Sequence, residues 1–179
     1  HLQTIKIKGA SETERTTFYS ALYHNMLQPS IFQDVNGEYI GFDDDIHTIA
    51  EGRDKYANFS LWDTYRTTAQ LQAMLFPKRT SDMLHSLLLD SKQARGGGLP
   101  IWSMANTDNG CMNGYSAAPF IANAYAFGAR DIDLKATKNK LVETAMSYHP
   151  IKDSRGWEGI EAYKSLGYVP YDEFQEACV

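Results

Sequence analysis

The sequence predicts an all-α fold made of successive helical hairpins, amounting to about half of an (α/α)6 toroid or to a self-sufficient bundle. Three observations predict it. About six segments repeat apolar residues at helical spacing. The loops between them alternate in length, as hairpins with long functional loops at one end require. β-prone sequence is confined to short pieces near residues 3–8 and 35–41. A complete toroid of six hairpins needs about twelve helices, so the chain supplies about half. Residues 1–179 form a single segment, with no composition shift to divide it.

Residues 3–8, "QTIKIK", alternate polar and apolar side chains and predict a short strand ended by Gly9. Ser11 and Glu14 have the spacing of a capping box, so a helix is expected over 11–27. Its Phe18, Ala21, Leu22 and Met26 share a face, and Pro29 closes it. "VNGEY" at 35–39 predicts an Asn-Gly turn between two short strands. Ser60 with Asp63 opens a second helix over 60–76, stopped by Pro77. Thr80 or Ser81 caps a third over 81–94, with Leu84, Leu87, Leu88 and Leu89 inward and a Gly96-Gly97-Gly98 stop. The fourth, 111–127, is rich in small residues that permit close helix approach, with a kink expected at Pro119. The fifth spans 133–148 before Pro150, and the sixth spans 157–166 before Gly167.

The totals exclude several functions. At 179 residues, 43% hydrophobic and 22% charged, the chain can bury a core. A net charge of −5 offers no basic footprint for nucleic acid and no polybasic membrane patch. No apolar run approaches the roughly 20 residues that span a bilayer, so no membrane insertion is expected. No signal peptide starts the chain, which is therefore expected to be cytoplasmic, processed or trimmed. Cys111 and Cys178 form no CxxC pair and are either free core thiols or one long-range disulfide.

Four stretches carry candidate chemistry. "QDVNGEYIGFDDDIH", residues 33–47, is acidic enough to suggest calcium. Counted from Asp34, however, the sixth position is Tyr39, where an EF-hand turn requires Gly. A solvated hairpin is the plainer reading, with Asp34 as the residue placed to approach a ligand. "SLWDTYR", residues 60–66, sets Trp62 and Asp63 in a first helical turn. This is either a cap with a buried Trp or an aromatic platform beside a carboxylate that binds vicinal hydroxyls. Arg66 lies within pairing range of Asp63. "GGGLPIWSMANTDNGCMNGYSAAP", residues 96–119, is either a ligand loop or an ordinary connection, and it lacks the phosphate-loop spacing. His24, His47, His85 and His149 lie apart, without zinc spacing. Asn58-Phe59-Ser60 is a glycosylation sequon by pattern.

In order along the chain, residues 17–47, 56–77, 96–133 and 165–170 resemble glycoside hydrolase family 92, the calcium-dependent inverting exo-α-mannosidases. The resemblance implies part of a secreted or periplasmic bacterial α-mannosidase, with an α-1,2 linkage preference, acting on mannose-containing glycans. The chain would form the first part of the family's catalytic (α/α)6 domain and pack against the remainder of the parent polypeptide. The resemblance puts the family's general acid, general base and calcium ligands after Val179. It therefore implies no catalytic or metal-binding residue here, Ca²⁺ only in the intact enzyme, and an inactive isolated chain. Asp63 matches a family position that contacts mannose, with Trp62, Arg66 and, more weakly, Asp34 in support. Two departures bear on sugar or linkage preference: Ser116 stands where many relatives have His, and Ser103 where they often have Glu. The alternative is a non-catalytic helical module that binds carbohydrate or protein.

Overall fold

A computed structural model describes residues 2–112, 114–147 and 159–172. A 3-10 turn, Leu2–Thr4, precedes α1, Glu12–Asn25. The strands β1 (Ser30–Ile31), β2 (Glu38–Ile40), β3 (Ile46–Thr48) and β4 (Tyr56–Ala57) follow. Next come α2 (Leu61–Thr64), α3 (Thr68–Leu75) and α4 (Pro77–Gln93). The strands β5 (Ser103–Met104) and β6 (Thr107–Asp108) lead to α5 (Ala117–Ala126), α6 (Leu134–Ala145) and α7 (Ile160–Leu166). The chain is helix-rich with three small antiparallel pairs, β1–β4, β2–β3 and β5–β6.

Helix α1 starts where its capping box predicts. The Glu14 amide bonds to Ser11 Oγ, and the Glu14 carboxylate accepts from the Ser11 amide. Asp133 caps α6 through the Ala136 amide at 2.9 Å, and left-handed Gly167 ends α7.

Other boundaries move. Residues 3–8 form no strand among the described residues: alternation without a partner leaves the ladder groups unpaired, and Leu2–Thr4 turns instead. The Asn36-Gly37 turn precedes β2 rather than joining two strands, with the Gly37 amide bonded to Asp34 O at 2.9 Å. The β2–β3 connection is the acidic loop 41–45, closed by Gly41 N–H to Asp45 O at 2.8 Å. The helix expected over 60–76 is broken at 65–67 into α2 and α3. Helix α4 begins at Pro77, because proline suits the first helical position. Thr80 and Ser81 are therefore buried in its interior rather than capping it. Helix α5 begins at Ala117, so Pro119 falls in its first turn, where a missing N–H costs nothing and no kink is needed. Leu84, Leu87 and Leu88 are buried, while Leu89 is only half-buried. Cys111 is a free, exposed thiol rather than a core one. Cys178, Pro150 and Trp157 lie outside the described residues.

The core forms where α3, α4 and α5 meet. Ala69 and Ala73 of α3, Leu84 and Leu87 of α4, and Ala117, Phe120 and Ala124 of α5 are buried together. Alanine on two of the three helices allows the close approach that its small volume predicts. Phe59 meets Phe120 edge to face at 6.2 Å, joining the chain before α2 to this core. Helix α1 stays outside, with Leu22 its buried residue. Among the described residues no helix is long and apolar enough to cross a membrane.

Candidate functional site

The acidic stretch is held by its neighbours. Asp43 accepts from His47 Nε2 at 2.9 Å. Burial alone would raise the Asp43 carboxyl; hydrogen bonds from His47 and the Asp45 amide outweigh it and hold the group below its usual range. Asn106 Nδ2 donates to Asp44 Oδ1 at 2.9 Å, tying the loop to the β5–β6 turn. At Gly41 a Cβ would lie 2.6 Å from Asp43 Oδ1 and 2.7 Å from the His47 ring, so a side chain there would have to displace them. Tyr39 stacks on His47 at 5.7 Å, and its hydroxyl accepts from Gln93 Nε2 at 2.9 Å. Tyr39, Gly41, Asp43, Asp44 and His47 therefore serve the hairpin's own structure. Among the described residues no three His, Cys, Asp or Glu side chains are grouped to hold a metal ion.

Beneath the hairpin, Lys55 and Asp90 form a buried ion pair. Nζ lies 2.7 Å from Oδ1. Nζ also donates to Tyr56 O at 2.9 Å and lies 5.4 Å from the Tyr39 ring centroid. Burial pushes the Asp90 carboxyl up to about 6; Lys55 pulls it down and the Asp108 charge pushes it further up.

The predicted site residues fall into two places. Asp34 is exposed and lines a cleft of about 470 Å³ with Phe32, Gln33, Glu38, Tyr39 and Ile46. Trp62, Asp63 and Arg66 lie outside that lining, on the α2 turn. The Asp63–Arg66 pair does not form. Arg66 lies over the rings of Trp62 and Tyr65, its guanidinium 5.1 and 4.5 Å from their centroids. Its Nη1 donates to Trp62 O at 3.3 Å. A planar cation gains more over two rings than from one exposed carboxylate. Asp63 is exposed, with no hydrogen-bond or ion-pair partner for its carboxylate among the described residues. Trp62 is half-buried.

The loop 96–116 reaches this turn through the backbone. Phe59 N–H donates to Ser103 O at 3.0 Å, two residues before α2 begins. Asn58 Oδ1 accepts from the Ala105 amide at 3.0 Å, and Asn58 Nδ2 donates to Ser30 Oγ at 3.4 Å. The sequon asparagine is thus used internally. Asp108 is fully buried. Its carboxylate accepts from the Ile101, Trp102 and Gly110 amides at 2.8, 2.9 and 3.1 Å. The "TDNG" sequence signals a turn, but only burial reveals an acid folding the loop from within. Among the described residues, Ser103 Oγ is buried without a partner. Ser116 is buried at the start of α5 and makes no side-chain cap bond.

Helices supply the scaffold, and the turn after Ser60 presents the exposed Asp63 and Arg66 beside the half-buried Trp62. Residues 1–178 match the model of the glycosyl hydrolase family 92 catalytic domain, and the chain belongs to that family. It is similar in structure to the family GH92 alpha-mannosidase BT3965 from Bacteroides thetaiotaomicron, with 31% identity and a TM-score of 0.84 over 96% of this chain. The same protein in complex with mannoimidazole gives an equal TM-score of 0.84. The GH92 inverting mannosidase BT2199 of that organism is 27% identical, with a TM-score of 0.82. The chain spans 22% and 23% of BT3965 and BT2199. No curated protein matches the chain.

Proposed function

We propose that this chain is part of the catalytic domain of an inverting α-mannosidase that removes terminal mannose from glycans. The observation that carries the proposal is the exposed Asp63 carboxylate, unpartnered among the described residues, next to the Trp62–Arg66 stack in a chain of this family. In this reading Asp63 accepts hydrogen bonds from vicinal sugar hydroxyls. Trp62 offers an apolar face to the ring's C–H groups. Arg66 supports Trp62, and Asp34 lines a separate cleft. The BT3965 complex with mannoimidazole supports a mannose-like ligand.

Inversion needs an acid on the leaving oxygen and a carboxylate that activates water on the opposite face, spaced to admit that water. We assign both to the remainder of the parent polypeptide, together with any bound calcium. The isolated chain is then inactive, and its helices form about half of an (α/α)6 toroid completed by that remainder. A preference for α-1,2 linkages and secretion to the periplasm or exterior belong to the same proposal.

The test compares the longer protein with its Asp63→Asn variant on an aryl α-mannoside and on α-1,2-mannobiose, with and without chelator. The expected result is a KM at least about 10-fold higher for the variant, from the lost charged acceptor. Equal kinetics would remove Asp63 from the site. Product anomer analysis by NMR checks inversion separately.

A further inference from the structure

We infer that Asn123 is a positioning residue for the sugar-facing turn, acting on Asp63 and Trp62 through the Tyr65 carbonyl; this rests on the function proposed above. The sequence over 60–76 has the pattern of one continuous helix, yet the helix breaks at 65–67. Tyr65 still has helical angles, φ −67° and ψ −24°. Thr67 leaves them, with φ −137° and ψ −37°. In an unbroken helix the Tyr65 carbonyl would accept from the amide four residues on. Here it accepts from Asn123 Nδ2 at 2.8 Å. Asn123 stands on α5, with buried Phe120, Ile121 and Ala124 fixing that helix in the core.

The break therefore has a specific compensating donor from a rigid element. Without it, the freed carbonyl would have to find water or return to the helix. Returning would rotate the α2 turn relative to α3. The Phe59–Ser103 bridge anchors that turn on its other side. Asp63 and Trp62 are thus held between two anchors, and Asn123 is the side-chain one. Neither anchor touches a ligand in this reading, so the effect is on placement.

The chemistry of the contact supplies a diagnostic substitution. Asn123→Asp keeps the shape but loses the N–H donor when ionised, and carboxylate then faces carbonyl oxygen. Protonation restores an O–H donor. In the full-length protein, the expected result is mannoimidazole binding about 10-fold weaker at neutral pH. Relative to wild type at the same pH, binding recovers as pH falls toward about 4. Asn123→Ala, which favours helix and cannot recover a donor, should be weakened at every pH, and it decides the matter if the Asp variant fails to fold. A lower melting temperature with unchanged dissociation constants for the folded variants would overturn the inference. Asp63→Asn separates the two ideas. If it also binds normally, the sugar-site reading itself fails. If it binds weakly while the Asn123 variants bind normally, only the positioning role fails.

Discussion

Lys55 Nζ lies 2.7 Å from Asp90 Oδ1, and both side chains are 1% exposed. The pair fastens the chain before β4 to the last part of α4. Lys55→Met alone leaves the Asp90 carboxylate buried without its counter-charge, so at neutral pH it should cost about 3–5 kcal/mol, more than Asp90→Leu alone, which also removes the buried carboxylate. The double variant should recover most of that loss, because the desolvation of both ions disappears with them. Chemical unfolding of the two single variants and the double variant checks this. An additive double variant would mean the two charges are stabilised independently.

The same pair sets a pH dependence. Asp90 is raised from an unfolded value near 3.8 to about 6, chiefly by burial, against the pull of Lys55 and with a further push from Asp108. The folded chain thus binds more protons than the unfolded chain between these values. Asp90's contribution is fully present below about 3.8 and is lost as pH rises through about 6. Asp43 has the opposite sign, since its folded value is lowered and its contribution fades on acidification. Melting temperatures between pH 4.5 and 7.5, wild type against Asp90→Asn, isolate the Asp90 part. The variant should lack the decline that wild type shows on going from about pH 5 to 7.

Asp108 should matter to the loop more than its position in a two-residue strand suggests. It is fully buried and accepts from three amides of residues 101–110. Asp108→Ala leaves those donors unpaired and should cost at least about 2 kcal/mol. Asp108→Asn keeps one acceptor oxygen and should cost less. Hydrogen exchange at the Ile101, Trp102 and Gly110 amides is the direct measurement, and unchanged protection in the Ala variant would contradict the assignment.

These contacts mark where sequence reasoning succeeded and where it stopped. The Ser11 capping box and the Gly167 stop were legible because both ends of each interaction lie within a few residues. The break at 65–67 was not, because its donor, Asn123, is 58 positions away from Tyr65. The start of α4 was legible in principle. Pro77 both stops one helix and suits the first position of the next. In the acidic stretch, the failure of EF-hand spacing was visible at Tyr39, but Asn106 as partner of Asp44 was not. Of the site residues, Trp62 and Arg66 meet, while Asp34 sits in a separate cleft that no local pattern separates from the α2 turn.

Arg66 provides a test in which charge and geometry part company. Its guanidinium covers Trp62 and Tyr65 and donates to Trp62 O, so it orders the turn without pairing with Asp63. Lysine would keep the charge but present a compact ammonium that cannot lie flat over two rings. Arg66→Lys should therefore resemble Arg66→Ala. Each should lose about 0.5–1 kcal/mol of stability, a small effect at an exposed site. The larger effect should fall on the sugar, since a loosened Trp62 presents its face less often. The longer protein should show a raised KM for an aryl α-mannoside in both variants, with kcat less affected. If Arg66→Lys keeps wild-type KM while Arg66→Ala does not, the positive charge acts directly on the ligand and the stacking account is wrong.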